Sequence, residues 1–272
     1  MKSRIMERFR PKATLISFPK CGRTWLRVML GKAFYLHYGV DDLREDGTRF
    51  LYPEGVYENL KMPRIDFTHD DNPHRKEPYE IEDDKTKYRD KKVILLIRDL
   101  RDVMVSNYYE EVYRRPTYDD AITKEETSQT LSQFLNRERG GVESFLKFYN
   151  NWALNRHVPK DVLLLRYENL QHDTVGELLR IISFLGLRGT IKRGVIEDAV
   201  AFASFQNMQR MERDGLYKHS ARLRPGDVNN LNSYKVRSGK VGGYRTALNE
   251  DDCAQLTNKL LKSLSPYYGY FD

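Results

Sequence analysis

The chain has 272 residues, 40% of them hydrophobic, and carries 46 Lys and Arg against 39 Asp and Glu, a formal net charge of +7. The length suits one large domain or two small ones, and the longest aliphatic run, Val93 to Ile97, is far short of the roughly 20 apolar residues that a membrane span needs. Two cysteines, Cys21 and Cys253, give no disulfide framework, and the basic start MKSRIMERFRPKA lacks an apolar leader core. A soluble, cytoplasmic protein without stable membrane insertion is therefore expected.

Along the chain, the first readable element is LISFPKCGRTWLRVML, residues 15–30. The run Ala13–Phe18 reads as a buried strand. A short loop with Pro19, Lys20, Gly22 and Arg23 follows, and from Thr24 and Trp25 onward Leu26, Met29, Leu30, Ala33 and Phe34 share one helical face. Strand, glycine-containing cationic loop and helix form an anion cradle: the first backbone N–H groups and the helix dipole favour phosphate, and Lys20 adds a full charge. The order differs from the ATP- and GTP-binding G-x-x-x-x-G-K-[ST], because the lysine comes early and no Gly-Lys-Ser/Thr appears. A strand–turn–helix with an incidental lysine has the same local pattern.

Asp41–Met62 is polar, and loops of that length are usually functional or mobile. Ile65–Thr68 reads as a short strand ending at His69, and Lys92–Ile97 as a strand ending at Arg98. A magnesium-dependent nucleotidase places an aspartate at such a strand end. Arginine repels a metal and grips a phosphate instead. An ordinary surface salt bridge is the plainer reading of Arg98, but the carboxyl edge of an α/β sheet is where ligands bind. Asp99 is placed to cap a helix bearing Val103, Val105 and Ser106, with Asp102 in the manner of a capping box. Further helices are expected over Gly141–Arg156, Val175–Leu185 and Asp251–Leu264, and a fourth strand over Val162–Tyr167. Residues 214–236 read as a lid. Strands alternating with helices, without repeats or linkers, predict an α/β fold: one domain over 1–272, with a central parallel sheet flanked by helices. Basic charge fits a polyanion such as a nucleotide or a sulfated product, but equally an ordinary basic surface. Zinc-ligand spacing, basic heptads and RNA-binding aromatic signatures are missing, so no nucleic-acid partner is expected.

Five stretches in order carry a resemblance. Phe18-Pro-Lys-Cys-Gly-Arg-Thr-Trp25 resembles the 5′-phosphosulfate loop Y-P-K-S-G-T-T-W of sulfotransferases that use 3′-phosphoadenosine 5′-phosphosulfate (PAPS). Arg98-Asp-Leu-Arg-Asp-Val-Met-Val-Ser106 resembles their 3′-phosphate motif R-N-P-R-D-V-x-V-S. LLLRYENL is similar to the strand whose tyrosine, here Tyr167, lies near the 3′-phosphate. FASFQNMQ is similar to the segment whose aromatic, here Phe205, packs on adenine. VRSGKVGGY is similar to the C-terminal R-K-G-x-x-G-D-W loop. The resemblance implies a P-loop-like sulfotransferase fold, PAPS as donor, the bisphosphate PAP as product, and no metal.

It also implies roles. Lys20, Cys21, Gly22, Arg23, Thr24 and Trp25 would form the donor loop, with Lys20 on the bridging and equatorial oxygens of the departing group. Arg98, Ser106 and Arg237 would hold the 3′-phosphate, with Tyr167, Ser204, Ser238 and Gly239 beside it, and Trp25 and Phe205 would stack adenine. Among six histidines, His69 matches the family's K-T-H-L-P-like segment and would be the general base, with Asp70 and Asp71 as runners-up. The chain also departs from the pattern. Cys21 and Arg23 replace Ser and Thr, Phe67 stands where the family has a lysine, Ala203 where a hydroxyl residue often touches the nucleotide, Ser238 where the C-terminal loop has a lysine, and Gly243-Tyr244 where it has Asp-Trp. The dimerisation motif K-x-x-x-T-V-x-x-x-E is absent, leaving a monomer or a dimer of another kind.

The acceptor has no motif. It would be a small-molecule, lipid or carbohydrate hydroxyl, and the tyrosines at 108, 109, 113 and 118 suit an aromatic or sugar ring, or equally a core. A magnesium-dependent P-loop kinase and a non-catalytic nucleotide or polyanion binder are the competing classes. Cys21, beside cations at a helix N-terminus, fits a low-pKa, oxidisable thiol or an inert stand-in for serine.

Overall fold

A computed structural model describes residues 13–39, 62–117, 119, 123–216 and 223–270. Four parallel strands form the sheet: β1 (Ala13–Ser17), β2 (Ile65–Thr68), β3 (Lys92–Ile97) and β4 (Asp161–Arg166), in the order β2-β1-β3-β4. All of β1 is buried, as are the last five residues of β3, which is why both read as unbroken apolar runs rather than alternating ones.

Ten α-helices surround the sheet among the described residues: α1 (Arg23–Tyr38), α2 (Leu100–Tyr109), α3 (Lys124–Ser128), α4 (Leu131–Leu135), α5 (Val142–Leu154), α6 (Tyr167–His172), α7 (Thr174–Phe184), α8 (Arg193–Phe202), α9 (Phe205–Arg213) and α10 (Glu250–Ser263). The expected strands and helices fall within about one or two residues of those observed, the scatter usual at element ends. Tyr167 is the exception in kind, since it opens α6 instead of ending β4. Helices α3, α4, α6, α8 and α9 were not expected. Ile196 and Ala199 of α8 are buried, and the helix packs against α1.

From β1 the chain moves outward to β2, then crosses back over β1 to β3 and on to β4. The direction of winding reverses between β1 and β3, and such a switch point opens a crevice at the carboxyl ends of the strands. Ser17 pairs with Leu96, and Ile16 with Thr68. The residues that follow these strands, the Lys20 loop, His69 and Arg98, therefore emerge side by side.

The turn after β2 is strained. Asp70, Asp71 and Asn72 all have positive φ, at 43°, 70° and 52°, a region that costs non-glycine residues about 1–3 kcal/mol each. Asp70 overcomes this from within: it is 2% exposed, accepts from the Tyr88 hydroxyl at 2.7 Å and Trp152 Nε1 at 3.1 Å, and pairs with Lys85 at 2.9 Å and Lys87 at 3.0 Å. Asp71 is held by Lys76 and by the Glu82 N–H at 2.9 Å. Both runner-up bases thus belong to the scaffold behind His69.

Removing the Asp70 carboxylate strands the Lys85 ammonium, itself 1% exposed. Asp70→Ala should lower unfolding free energy by about 3–5 kcal/mol, the usual cost of breaking a buried ion pair from one side. Urea denaturation checks this; a loss below about 1 kcal/mol would remove Asp70 from the role of scaffold.

Candidate active site

One cleft gathers Lys20, Gly22, Arg23, Thr24 and Trp25 from the first loop, His69 after β2, Arg98 and Ser106 from β3 and α2, Tyr167 from α6, Phe205 from α9, and Arg237, Ser238 and Gly239 from the C-terminal loop. Each strand end contributes one of these. The side chains of Cys21 and Ser204 do not line it.

The first loop is shaped for close approach. Lys20 takes φ +70° and Gly22 φ +95°. A Cβ on Gly22 would lie 2.7 Å from the Tyr167 ring, so glycine is required for both conformation and contact. No side chain caps the N-terminus of α1, and its first turn holds no acidic residue. The positive end of the helix dipole thus faces the cleft. Trp25 donates from Nε1 to the Ala203 carbonyl at 2.8 Å, joining this helix to the adenine-side segment. Gly239, at φ +63°, packs where a Cβ would meet the Phe205 ring at 2.6 Å.

Arg98 ties the segments together. Its guanidinium donates to the carbonyls of Lys20 and Lys240, both at 3.1 Å, lies 3.6 Å from Asp102, and stacks 4.2 Å from the Tyr167 ring centre. Its buried Nε has no hydrogen-bond partner. Asp99 caps α2 as expected, accepting from the Arg101 N–H at 2.8 Å. Asp102 does not join a capping box. It accepts from the N–H groups of Gly242 at 2.8 Å and Tyr244 at 3.0 Å, and so holds the C-terminal loop against α2.

His69 Nδ1 lies 2.8 Å from the Ser17 carbonyl. A carbonyl only accepts, so Nδ1 carries the hydrogen and Nε2 keeps its lone pair. Burial holds the imidazole well below its ordinary value, and Arg23, His74 and Lys235 push the same way against the Ser17 contact. His69 is thus neutral and able to take a proton across the neutral pH range.

Sequence reasoning missed two residues here. Glu110 lies one turn beyond Ser106, where α2 widens into a π turn, Glu110–Arg114, a distortion frequent at functional sites. Its Oε2 pairs with Lys20 Nζ at 2.7 Å and Lys235 Nζ at 3.3 Å, and Oε1 pairs with Arg114. Burial pushes this carboxyl up, but Lys20, Lys235 and Arg114 outweigh burial and hold it well below the usual range. Lys235 lines the cleft. Its two-residue spacing from Arg237 was the available signal, and Glu110's i+4 spacing from Ser106 was the other.

Tyr109 and Tyr113 stack at 5.6 Å, and Arg237 covers Tyr109 at 3.8 Å. Tyr118 and residues 41–61 lie outside the described residues, as do 217–222 of the lid stretch. The described remainder of that stretch is anchored, with the Arg224 carbonyl accepting from Arg114 Nε at 2.9 Å. Among the described residues no group of three His, Cys, Asp or Glu side chains is placed to hold a metal ion, and no helix is long and apolar enough to cross a membrane.

A parallel sheet with an anion-cradling loop at its switch point, a second cationic strand end on one side of it and a neutral histidine on the other defines a nucleotide-dependent group-transfer enzyme. Residues 10–264 match the sequence model of the sulfotransferase domain, and the chain belongs to that family of enzymes. Similar proteins from Arabidopsis thaliana include cytosolic sulfotransferase 13, 24% identical over 86% of this chain and 71% of its own length. Cytosolic sulfotransferase 6 is 25% identical over 90% and 76%. Among solved structures, a mouse sulfotransferase complexed with PAP superposes with a TM-score of 0.59 at 19% identity, covering 93% of this chain and 85% of that one. Retinol dehydratase in complex with androsterone and PAP gives 0.61 at 18%, covering 94% and 82%.

Of the two readings of Cys21, the structure supports the inert stand-in for serine. Cys21 is fully buried, 3.4 Å from the Tyr149 hydroxyl, and burial pushes its thiol up to about 12 although Tyr149, Arg98 and Arg23 pull down. In the native protein at pH 8, iodoacetamide should leave Cys21 unlabelled, and it should react only after unfolding in urea. Peptide mapping by mass spectrometry checks this; native labelling of Cys21 as fast as of the partly exposed Cys253 would refute the burial.

Proposed function

We propose that this enzyme transfers the sulfuryl group of PAPS to the hydroxyl of a small-molecule, lipid or carbohydrate acceptor by in-line displacement. The observation that carries the reading is the neutral His69, its Nε2 free, in one cleft with Lys20, the uncapped N-terminus of α1 and Arg98. The loop geometry and the Arg98 guanidinium fit a 5′-phosphosulfate and a second phosphate. Trp25 and Phe205 offer ring faces to adenine, and Ser106 and Arg237 add contacts for the 3′-phosphate.

In this scheme His69 Nε2 takes the acceptor's hydroxyl proton. The acceptor oxygen bonds to sulfur while the bond from sulfur to the 5′-phosphate oxygen breaks, its electron pair leaving with PAP. Lys20 and the helix N-terminus stabilise the charge gathering on that oxygen, the electrostatic contribution that preorganised cations make best. Arginine at the end of β3, where a dication would need a carboxylate, favours this chemistry over a magnesium-dependent kinase. The two free cysteines fit a cytosolic setting. Residues 214–236 would cover the bound donor, and the missing dimer motif fits a monomer or a dimer of another kind.

PAP at about 100 times its dissociation constant should raise stability by roughly 2.7 kcal/mol, with EDTA changing neither this shift nor turnover. A shift that needs magnesium and ATP would instead establish a kinase. His69→Ala should cut turnover of labelled PAPS by about 10² or more while leaving PAP affinity nearly unchanged. Because His69 is held below its ordinary value, wild-type kcat/KM should not fall as pH drops from 7 through 6.5. A fall centred there would show a histidine that titrates normally.

A further inference from the structure

Lys235 is absent from the donor-binding motifs, yet it lines the cleft together with Lys20 and His69. Its Nζ and that of Lys20 share a single oxygen, Glu110 Oε2, so the two ammonium groups lie no farther apart than the combined 2.7 and 3.3 Å. With Arg114 on the other oxygen, three cations meet one carboxylate. Lys235 thus stands beside Lys20 at the cleft wall with its ammonium on a shared carboxylate.

The position is also built rather than incidental. The carboxylate of Glu212, itself fully buried, accepts from the N–H of Lys235 at 2.6 Å and of Val236 at 2.8 Å. A buried carboxylate that grips the backbone on both sides of a residue fixes where its side chain starts. Phe67, where the family has a lysine, offers no charge and is covered by the Arg27 guanidinium at 4.5 Å.

We propose that Lys235 is a second catalytic cation, its ammonium donating to the non-bridging oxygens of the sulfuryl group in transit while Lys20 serves the departing 5′-phosphate. This rests on the sulfuryl-transfer reading. Lys235 gains and loses no proton in the step. The proton goes from the acceptor hydroxyl to His69, the bond from acceptor oxygen to sulfur forms, and the electron pair of the broken bond stays on the 5′-phosphate oxygen.

The charges facing Lys235 are Glu110 and Arg114 from the π turn, Lys20 from the first loop and His69 beyond β2, with Glu212 of α9 on its backbone. Burial, with Lys20 and Arg114, brings its ammonium down to about 7, against the pull of Glu110. An anion beside it raises that value and so favours the charged form further.

Orthovanadate is the probe, because vanadium(V) can take five oxygen ligands in the geometry of an in-line displacement. Calorimetric titration of the full chain with PAP, with and without vanadate, is made for wild type, Lys235→Met and Lys235→Arg. Vanadate should tighten PAP binding to wild type by about tenfold or more, the size of one charge-assisted hydrogen bond. Lys235→Met should bind PAP nearly as wild type does and lose that gain, and Lys235→Arg should restore most of it. Raising the pH from 7 to 9 should erode the gain in wild type and spare it in Lys235→Arg, whose side chain stays charged.

A Lys235→Met protein that keeps the full gain overturns the proposal, as does one that loses PAP affinity or melting temperature in parallel. A Lys235→Arg protein that keeps the pH-dependent erosion overturns it without relying on the methionine variant. Wild type that binds PAP and gains nothing from vanadate overturns it while leaving the donor reading intact. Wild type that binds no PAP sinks the donor reading itself.

Discussion

The guanidinium of Arg98 is the contact on which the site's assembly depends. It emerges from the switch point of the sheet and holds the carbonyls of Lys20 and Lys240, residues 78 and 142 positions away in sequence. Without it the carbonyls of Lys20 and Lys240 would lose the donor they share, leaving the two loops joined through Glu110 and Tyr167. A lysine could not substitute, because one ammonium cannot present planar, divergent donors to two carbonyls while stacking on Tyr167. A residue that the resemblance assigned to phosphate is therefore also a structural staple, and its loss would affect any nucleotide at this site, with or without a 3′-phosphate.

Around that staple the basic chain places its carboxylates with economy. Asp70 fixes the strained turn behind His69, Asp102 clamps the C-terminal loop, Glu110 gathers Lys20, Lys235 and Arg114, and Glu212 holds the backbone at Lys235. All four are buried, where an unpaired charge is costly and a paired one acts strongly on its neighbours. The net +7 is thus more than a surface property. Part of it is concentrated by these carboxylates at the mouth of a parallel sheet.

What could be read in the sequence follows from locality. Buried parallel strands are apolar runs, and β1, β2 and β3 were found from these alone. The cationic loop and Asp99's cap are also local, being set by neighbours in the chain. Asp102 is the instructive failure. Three residues after a cap it has the right spacing for a box, but two N–H groups 140 and 142 residues away compete for it and win. For Cys21 the sequence left two readings open for a similar reason. The charges beside it in sequence argue for a thiolate, but full burial of the thiol outweighs them. Glu110 and Lys235 were missed because their meaning exists only in the pair, 125 residues apart.

That pair also bears on how the site changes when it fills. In the free protein Glu110 is the anion nearest Lys20, and the ion pair at 2.7 Å keeps the lysine in a strained loop beside the cleft. A phosphosulfate entering the loop competes with Glu110 for the same ammonium in a desolvated setting, where charges interact several times more strongly than in water. The two anions repel each other, so Lys20 turning toward the donor weakens its hold on Glu110. Arg114, on the other oxygen, stays beside that carboxylate and offsets its loss. A carboxylate served by Lys20 alone would be left uncompensated by such an exchange, at a cost of several kcal/mol. The partner on its second oxygen would thus let Glu110 hold Lys20 in the free protein and yield it to an entering anion.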